Sequence, residues 1–395
     1  MAGDPIKTIM LKTGRKRYRF VVDIGPDPKT GKRRQKTFTF DLKKDAEKEL
    51  NKIRHQTGEG TYVAPSKVTV NQVIDSYLKG ATRGKRRNTK ANYGHAFRCV
   101  REQLGARPAQ SVSKDDIEDL VDYMLTEGRK RGGKPGTGLS GRLVNLTLGR
   151  LRAAFELPVR EGKLVRNVVA LVENVSYQQA ERETWTKAEV HTFLRAIAGI
   201  RLEVAWRLSL YGLRRGEVLG LRWEDVDLKA RTLKVEQTRV MCESKVIIEP
   251  PKSRNGLREL PLDDALAEAL ERLRKAQLAE SEEAGQAYRD GVAALEWYEG
   301  GQYLVTDELG MPVHPEWYSD EFGRLLKRAG LKRIALHDSR HTTLSLMEKA
   351  GVPISVISKW AGHFDSAFTQ KTYVHANDED LKTGAEALGQ IYKIS

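Results

Sequence analysis

In the first sixty residues apolar side chains recur at every second position, at Tyr18, Phe20, Val22 and Ile24 and again at Phe38 and Phe40. This is the period of a half-buried β-strand, whose successive side chains point to opposite faces. Between the two runs lies GPDPKTGKRRQ, where Pro26, Pro28 and Gly31 forbid helix and predict a turn. The spacing then becomes helical: Ala46, Leu50 and Ile53 share one face of a segment that Gly58 and Gly60 should stop.

After the linker TYVAPSK the pattern is helical throughout, with Val70, Val73, Ile74, Tyr77 and Leu78, then Tyr93, Phe97, Val100 and Leu104. Ser113 and Asp116 have the spacing of a capping box and should open a helix through Ile117, Leu120, Val121 and Met124. Ser140 precedes another carrying Val144, Leu148, Leu151 and Phe155. A second linker, NVSYQQAERE, is followed by Thr186 and Glu189, again at capping-box spacing. The chain of 395 residues therefore divides into three expected domains, 1–63, 67–172 and 180–395, within the two to four that roughly 100 to 200 residues per domain allow.

Charge changes the picture next. The chain holds 68 Lys and Arg against 53 Asp and Glu, a net +15, which favours a polyanionic partner, nucleic acid ahead of an anionic membrane. About half of that excess lies in residues 1–60, with 16 basic against 8 acidic side chains. A small sheet backed by one helix, displaying Arg17, Arg19, Lys32, Arg33 and Arg34, has the shape and charge to enter a DNA groove. Two basic turns in the helical region, RGKRRNTK with Arg86 and Arg87 and GRKRGGKPGTG with Lys130, Arg131 and Lys134, offer further phosphate contacts; solvated loops are the alternative reading. No apolar run approaches the ~20 residues of a membrane span, no secretory signal pattern opens the chain, and no basic amphipathic helix with a continuous apolar face is visible in the basic block. A cytoplasmic protein, associated with the nucleoid, is expected. Cys99 and Cys242 fit neither a disulfide framework nor a zinc site.

The candidate chemistry lies beyond residue 180, in four separated pieces: LYGLRRGEVLGLRWEDVDL, PPKSRNGLRELPL, LHDSRHTTLSLMEKAGVPISVISKWAGH and TYVH. Taken singly each has an ordinary explanation, Arg214 as a surface arginine, Lys252 as a hairpin lysine, His337 and His363 as polar residues at helix ends. Together they offer two arginines, a lysine, two histidines and a tyrosine, without a carboxylate cluster or a nucleotide-binding glycine loop. That inventory suits metal-free transfer of a phosphodiester to a tyrosine hydroxyl.

The third domain resembles the tyrosine recombinases, the phage-integrase family, over its whole length. GLRRGE is similar to the family's first arginine motif, with Arg214 catalytic and Glu217 as its acidic support, and HDSRH to its His-x-x-Arg motif, with His337 and Arg340. Ser339 departs from the leucine more usual there, a change expected to concern packing. AGH supplies His363, and Tyr373 follows ten positions later as the nucleophile. PPKSRNGLREL resembles the hairpin of the catalytic lysine, which favours Lys252 over Lys245. The resemblance implies an α+β multidomain protein with an N-terminal arm-type domain of three strands and a helix, a helical core-binding domain, and a mainly helical catalytic domain with a small antiparallel sheet. It also implies no cofactor and no metal. The implied partners are double-stranded attachment sites of core and arm type, three further copies in a tetramer on DNA, and a host DNA-bending factor and excisionase as accessory proteins. A tail after Tyr373, with Leu381, Ala385 and Leu388, is expected to form a short helix that docks on a neighbouring protomer. A type IB topoisomerase shares this chemistry, and a non-catalytic DNA-binding regulator is a further alternative.

Overall fold

The computed structural model describes residues 4–11, 13–26, 33–58, 62–63, 66–130, 133–178, 183–286 and 302–362. The chain falls into two compact units, Met1–Gln179 and Ala180–Ser395.

The first unit opens with an antiparallel sheet of β1 (Lys7–Met10), β2 (Lys16–Pro26) and β3 (Arg33–Phe40) in that order. The period of two sends Phe20 and Val22 inward against Ala46, Leu50 and Ile53 of α1 (Lys43–Gly58). Phe38 and Phe40 flank Phe20, with ring centroids at 5.3 Å and 6.0 Å. The opposite face carries Lys7, Arg19 and Thr39 side by side, with Arg17 and Val21 along β2. A second core belongs to five helices, α2 (Val70–Ala81), α3 (Arg87–Ala96), α4 (Arg98–Leu104), α5 (Lys114–Thr126) and α6 (Gly141–Arg160). The box of Ser113 and Asp116 forms, and Ser140 accepts from the Leu143 backbone N–H. The run from Tyr93 to Leu104 differs from its pattern: it breaks at Phe97, which leaves helical geometry at φ −90°, ψ 2°. The break lets two short helices pack separately around the fully buried Phe97 ring.

The second unit contains α7 (Lys187–Ile197), α8 (Glu203–Leu210) and α9 (Arg215–Gly220), then two small antiparallel sheets. One is β4 (Val226–Asp227), β5 (Thr232–Val235) and β8 (Arg258–Pro261); the other is β6 (Thr238–Cys242) with β7 (Lys245–Glu249). The helices α10 (Asp264–Ala284), α11 (Pro315–Arg328), α12 (Leu336–Lys349) and α13 (Ile354–Ala361) complete the described part. The capping box of Thr186 and Glu189 opens α7. In the core, Trp206 of α8 stacks on Tyr318 of α11 at 4.0 Å, and the Tyr318 hydroxyl donates to the Ala205 carbonyl. That contact fixes α8, whose C-terminal end carries the first candidate motif. Cys99 and Cys242 are both buried free thiols.

Candidate active site

Two helix ends meet here. At the C-terminal end of α8, four consecutive carbonyls accept from side chains of α12 and α13. Ser339 donates to Ser209, Thr343 to Leu210, Trp360 to Tyr211 at 2.8 Å, and Arg340 to Gly212. Carbonyls at a helix end lack intrahelical partners, so these side chains act as its caps and set the loop that leads to Arg214. Ser339 is fully buried and also donates to Leu336, so its hydroxyl serves packing between helices.

The end of α13 is held in the same manner, by arginines. Arg258 donates to the Trp360 carbonyl at 2.8 Å, Arg340 to Ala361, and Arg214 to Gly362 at 3.4 Å. Gly362 takes the left-handed conformation, φ 62°, and a Cβ there would lie 2.6 Å from the Asn255 carbonyl oxygen. Only glycine therefore permits this turn. Residue 363 follows it directly in the chain.

Arg214 is the N-cap residue of α9, and its guanidinium donates to Glu217 at 2.7 Å while its own backbone N–H reaches the other carboxylate oxygen at 2.9 Å. α9 lies close on β6 because Gly216 faces the strand; a Cβ there would meet Val240 at 2.7 Å. Arg215, the neighbouring arginine in the same motif, points elsewhere, donating to Ser319 and to the Pro315 carbonyl of α11. The geometry thus separates two arginines that sequence presents side by side.

Glu217 is 1% exposed and receives two further hydrogen bonds, 3.2 Å and 2.8 Å, from Arg258. Burial pushes its carboxyl up, but the guanidiniums of Arg258 and Arg214 outweigh burial and hold it at about 2. Because the folded value lies below the unfolded one of ~4.3, the stabilisation is complete above that pH and is lost as pH falls through about 2. Glu217→Gln is accordingly expected to be less stable than wild type by about 3 kcal/mol near neutrality, with the gap closing between roughly pH 5 and 2. Urea unfolding across that range checks this; a gap independent of pH would contradict it.

The remaining candidates are placed as follows. Arg340 is 1% exposed at the centre of the cluster. His337, in the first turn of α12, is exposed, with its ring 5.0 Å from that of His341. Lys252 is exposed in the connection from β7 to β8. Those strands belong to different sheets, so Lys252 lies beyond the β6–β7 hairpin and not in its turn. His363, Tyr373 and the tail with Leu381, Ala385 and Leu388 lie outside the described residues. The structure therefore joins Arg214, Glu217 and Arg340, and adds Arg258, Trp360 and Thr343. All three additions lie inside the motif segments quoted from the sequence, but none is given a role there.

In the first unit, Arg17 pairs with Asp41 at 2.8 Å, and Arg19 is exposed with its Nε 3.4 Å from Thr39. Arg33 is ion-paired with Asp23 across the strands. Arg34 lies in β3, its side chain outside the described set, and Lys32 and Arg131 lie outside the described residues. Arg86 caps α3, and Arg87, Lys130 and Lys134 are exposed, Lys130 with Glu102 at 3.8 Å.

Comparison with known proteins gives a consistent result. The chain is 26% identical over 405 residues to a tyrosine recombinase XerC-like protein of Caldanaerobacter subterraneus subsp. tengcongensis, covering 98% of this chain and 99% of that one. It is 25% identical to the ICEBs1 integrase of Bacillus subtilis, covering 95% and 97%. Among solved structures, the Tn1549 transposon integrase in complex with a circular intermediate DNA superposes with a TM-score of 0.66 at 22% identity, over 81% of this chain and 99% of that one. A lambda integrase dimer bound to a COC′ core site gives 0.54 at 20% identity, over 95% and 96%. These two share the fold. An arm DNA-binding domain model matches residues 8–57. The phage integrase family model matches residues 183–380, half of the sequence, and the chain belongs to that family.

Proposed function

We propose that this chain is a site-specific DNA recombinase that cuts and rejoins strands through a 3′-phosphotyrosyl intermediate, with Tyr373 as nucleophile. The observation that carries this reading is the closure of Arg214 and Arg340 on one turn, at the carbonyls of Gly362 and Ala361, next in the chain to His363. A phosphodiester resists attack because it is anionic and its leaving alkoxide is poor, so catalysis needs charge at the non-bridging oxygens and a proton for the leaving oxygen. Two guanidiniums remain charged at any working pH and present planar forks to those oxygens. Lys252 is the proposed acid for the leaving 5′ oxygen, with His337 and His363 handling proton exchange. A phenol of pKa ~10 becomes a usable nucleophile beside such cations, and the phosphotyrosine it forms conserves the energy of the broken bond. Neither ATP nor a metal is then needed, and a partner strand's 5′ hydroxyl can attack the linkage and reseal it.

The domains follow this division of labour in the proposal. Residues 1–63 bind arm sites through the face of Lys7, Arg17 and Arg19, residues 67–172 and 180–395 bind the core site, and four copies assemble on two duplexes in the cytoplasm of a bacterial host. A host DNA-bending factor and an excisionase are the proposed accessory partners. The integrase names of the relatives and the arm-domain match support integration or excision of a phage or mobile element over topoisomerase activity. The test uses a nicked duplex carrying the attachment core read from DNA flanking the gene. In excess EDTA the protein should still become covalently joined to it, and mass spectrometry of the digested complex should find DNA on the peptide of Tyr373, through a 3′ phosphate. Attachment at another residue, or a magnesium requirement for the covalent step, would sink the mechanism.

A further inference from the structure

We propose that Arg258 is a positioning residue for strand cleavage: through Glu217 it orients the guanidinium of Arg214, and through the Trp360 carbonyl it fixes the turn on which Arg214 and Arg340 close. The inference rests on reading the chain as a recombinase. Arg258 opens β8, and its guanidinium is taken up by Glu217, Trp360 and Gly256, so it acts through these neighbours and not on the substrate. Its guanidinium makes four hydrogen bonds, two to the Glu217 carboxylate, one to Trp360 and one at 3.1 Å to the Gly256 carbonyl. Those acceptors belong to three separate pieces of sequence: the first arginine motif, the segment just before His363, and the connection carrying Lys252. In that connection Gly256 lies against Pro251, where a Cβ would come within 2.6 Å, so the carbonyl that Arg258 holds is itself fixed.

The geometry leaves little freedom. The Glu217 carboxylate accepts from Arg214 on one side and from Arg258 on the other, so a shift of either guanidinium moves the carboxylate between them. The turn at Gly362 sits directly on Arg258; a Cβ at residue 362 would be 3.1 Å from one guanidinium nitrogen. A buried ion pair is a poor source of net stability, since desolvation offsets most of its attraction. A planar fork is, however, a precise device for holding one carboxylate and one carbonyl at fixed angles, which a lysine ammonium cannot reproduce.

Arg258→Lys keeps the charge that buried Glu217 requires and removes only the fork. The pair Glu217→Gln with Arg258→Met removes both buried charges together, and Arg214, which loses its carboxylate partner, is 37% exposed and can be solvated. Each is compared with wild type on the nicked core duplex for single-turnover covalent joining, for affinity to the same duplex, and for melting temperature. Expected is a loss of about 10²-fold in the joining rate for Arg258→Lys, the scale of a displacement near 1 Å, with affinity close to wild type and a melting temperature lowered by only a few degrees. The double variant should lose at least as much rate while still binding the duplex. Joining at the wild-type rate by Arg258→Lys overturns the proposal, as does a loss of affinity and melting temperature in step with rate, which would make Arg258 a packing residue only. Should wild type itself join no nicked duplex, the recombinase reading falls and this proposal with it; the other two outcomes leave that reading standing.

Discussion

Tyr373→Phe is expected to abolish covalent joining to DNA, and recombination with it, while folding and DNA affinity stay at wild-type values. The substitution removes one oxygen and almost no volume, so neither of the large destabilising causes, a cavity or a buried unpaired group, is introduced. In the proposed mechanism what it deletes is the atom that forms the bond to phosphorus. Single-turnover joining should fall by at least about 10⁴-fold, the range seen when a covalent nucleophile is removed. The measurement is a time course on the nicked duplex, resolved as protein-linked DNA under denaturing conditions, beside a binding titration. Retained joining would mean that another residue is the nucleophile; lost binding would mean that Tyr373 is structural.

The second large effect belongs to Arg340. Arg340→Ala should lower the joining rate by about 10³-fold, because a cation is removed from the position of developing negative charge. Unlike the tyrosine variant it should also lose stability. The guanidinium is 1% exposed and serves the carbonyls of Gly212 and Ala361, which would be left buried without that donor. At 1–3 kcal/mol for each unsatisfied group, a loss of about 3 kcal/mol is expected, readable by urea unfolding. Arg340→Lys should recover part of the stability but little of the rate, since a compact ammonium does not reproduce the guanidinium's fixed planar fork. Wild-type joining by Arg340→Ala would remove Arg340 from the mechanism.

The contrast between these residues shows what sequence could reveal. Alternation at Tyr18, Phe20 and Val22 specified a strand because each step flips the side chain, and Thr186 with Glu189 specified a helix start because the two side chains satisfy each other's backbone. Arg214 and Glu217 were legible through the resemblance of GLRRGE to a family motif, and the structure pairs them on one turn. Arg258 was not, because its partner carboxylate is 41 positions away and its other acceptors are backbone carbonyls, which every residue has. The roles of Arg214 and Arg215 could be divided only once α9 was set on β6, since two adjacent arginines look alike until a fold directs them apart. The break at Phe97 was hidden because both short helices continue the same apolar spacing across it.

The arginine-held end of α13 has an electrostatic consequence. A helix C-terminus carries the equivalent of about half a negative charge, spread over its last carbonyls. At residues 360–362 that partial charge faces three guanidiniums, and Glu217 contributes one full negative charge beside two of them. The helix end thus behaves as a built-in counter-ion that offsets part of the mutual repulsion of the cations before any DNA arrives, while the cluster stays net positive. A phosphodiester brings one negative charge in its ground state and approaches two as phosphorus becomes five-coordinate. In the proposed mechanism a net positive cluster therefore attracts the five-coordinate phosphorus more strongly than the phosphodiester at rest, and that difference is what lowers a barrier.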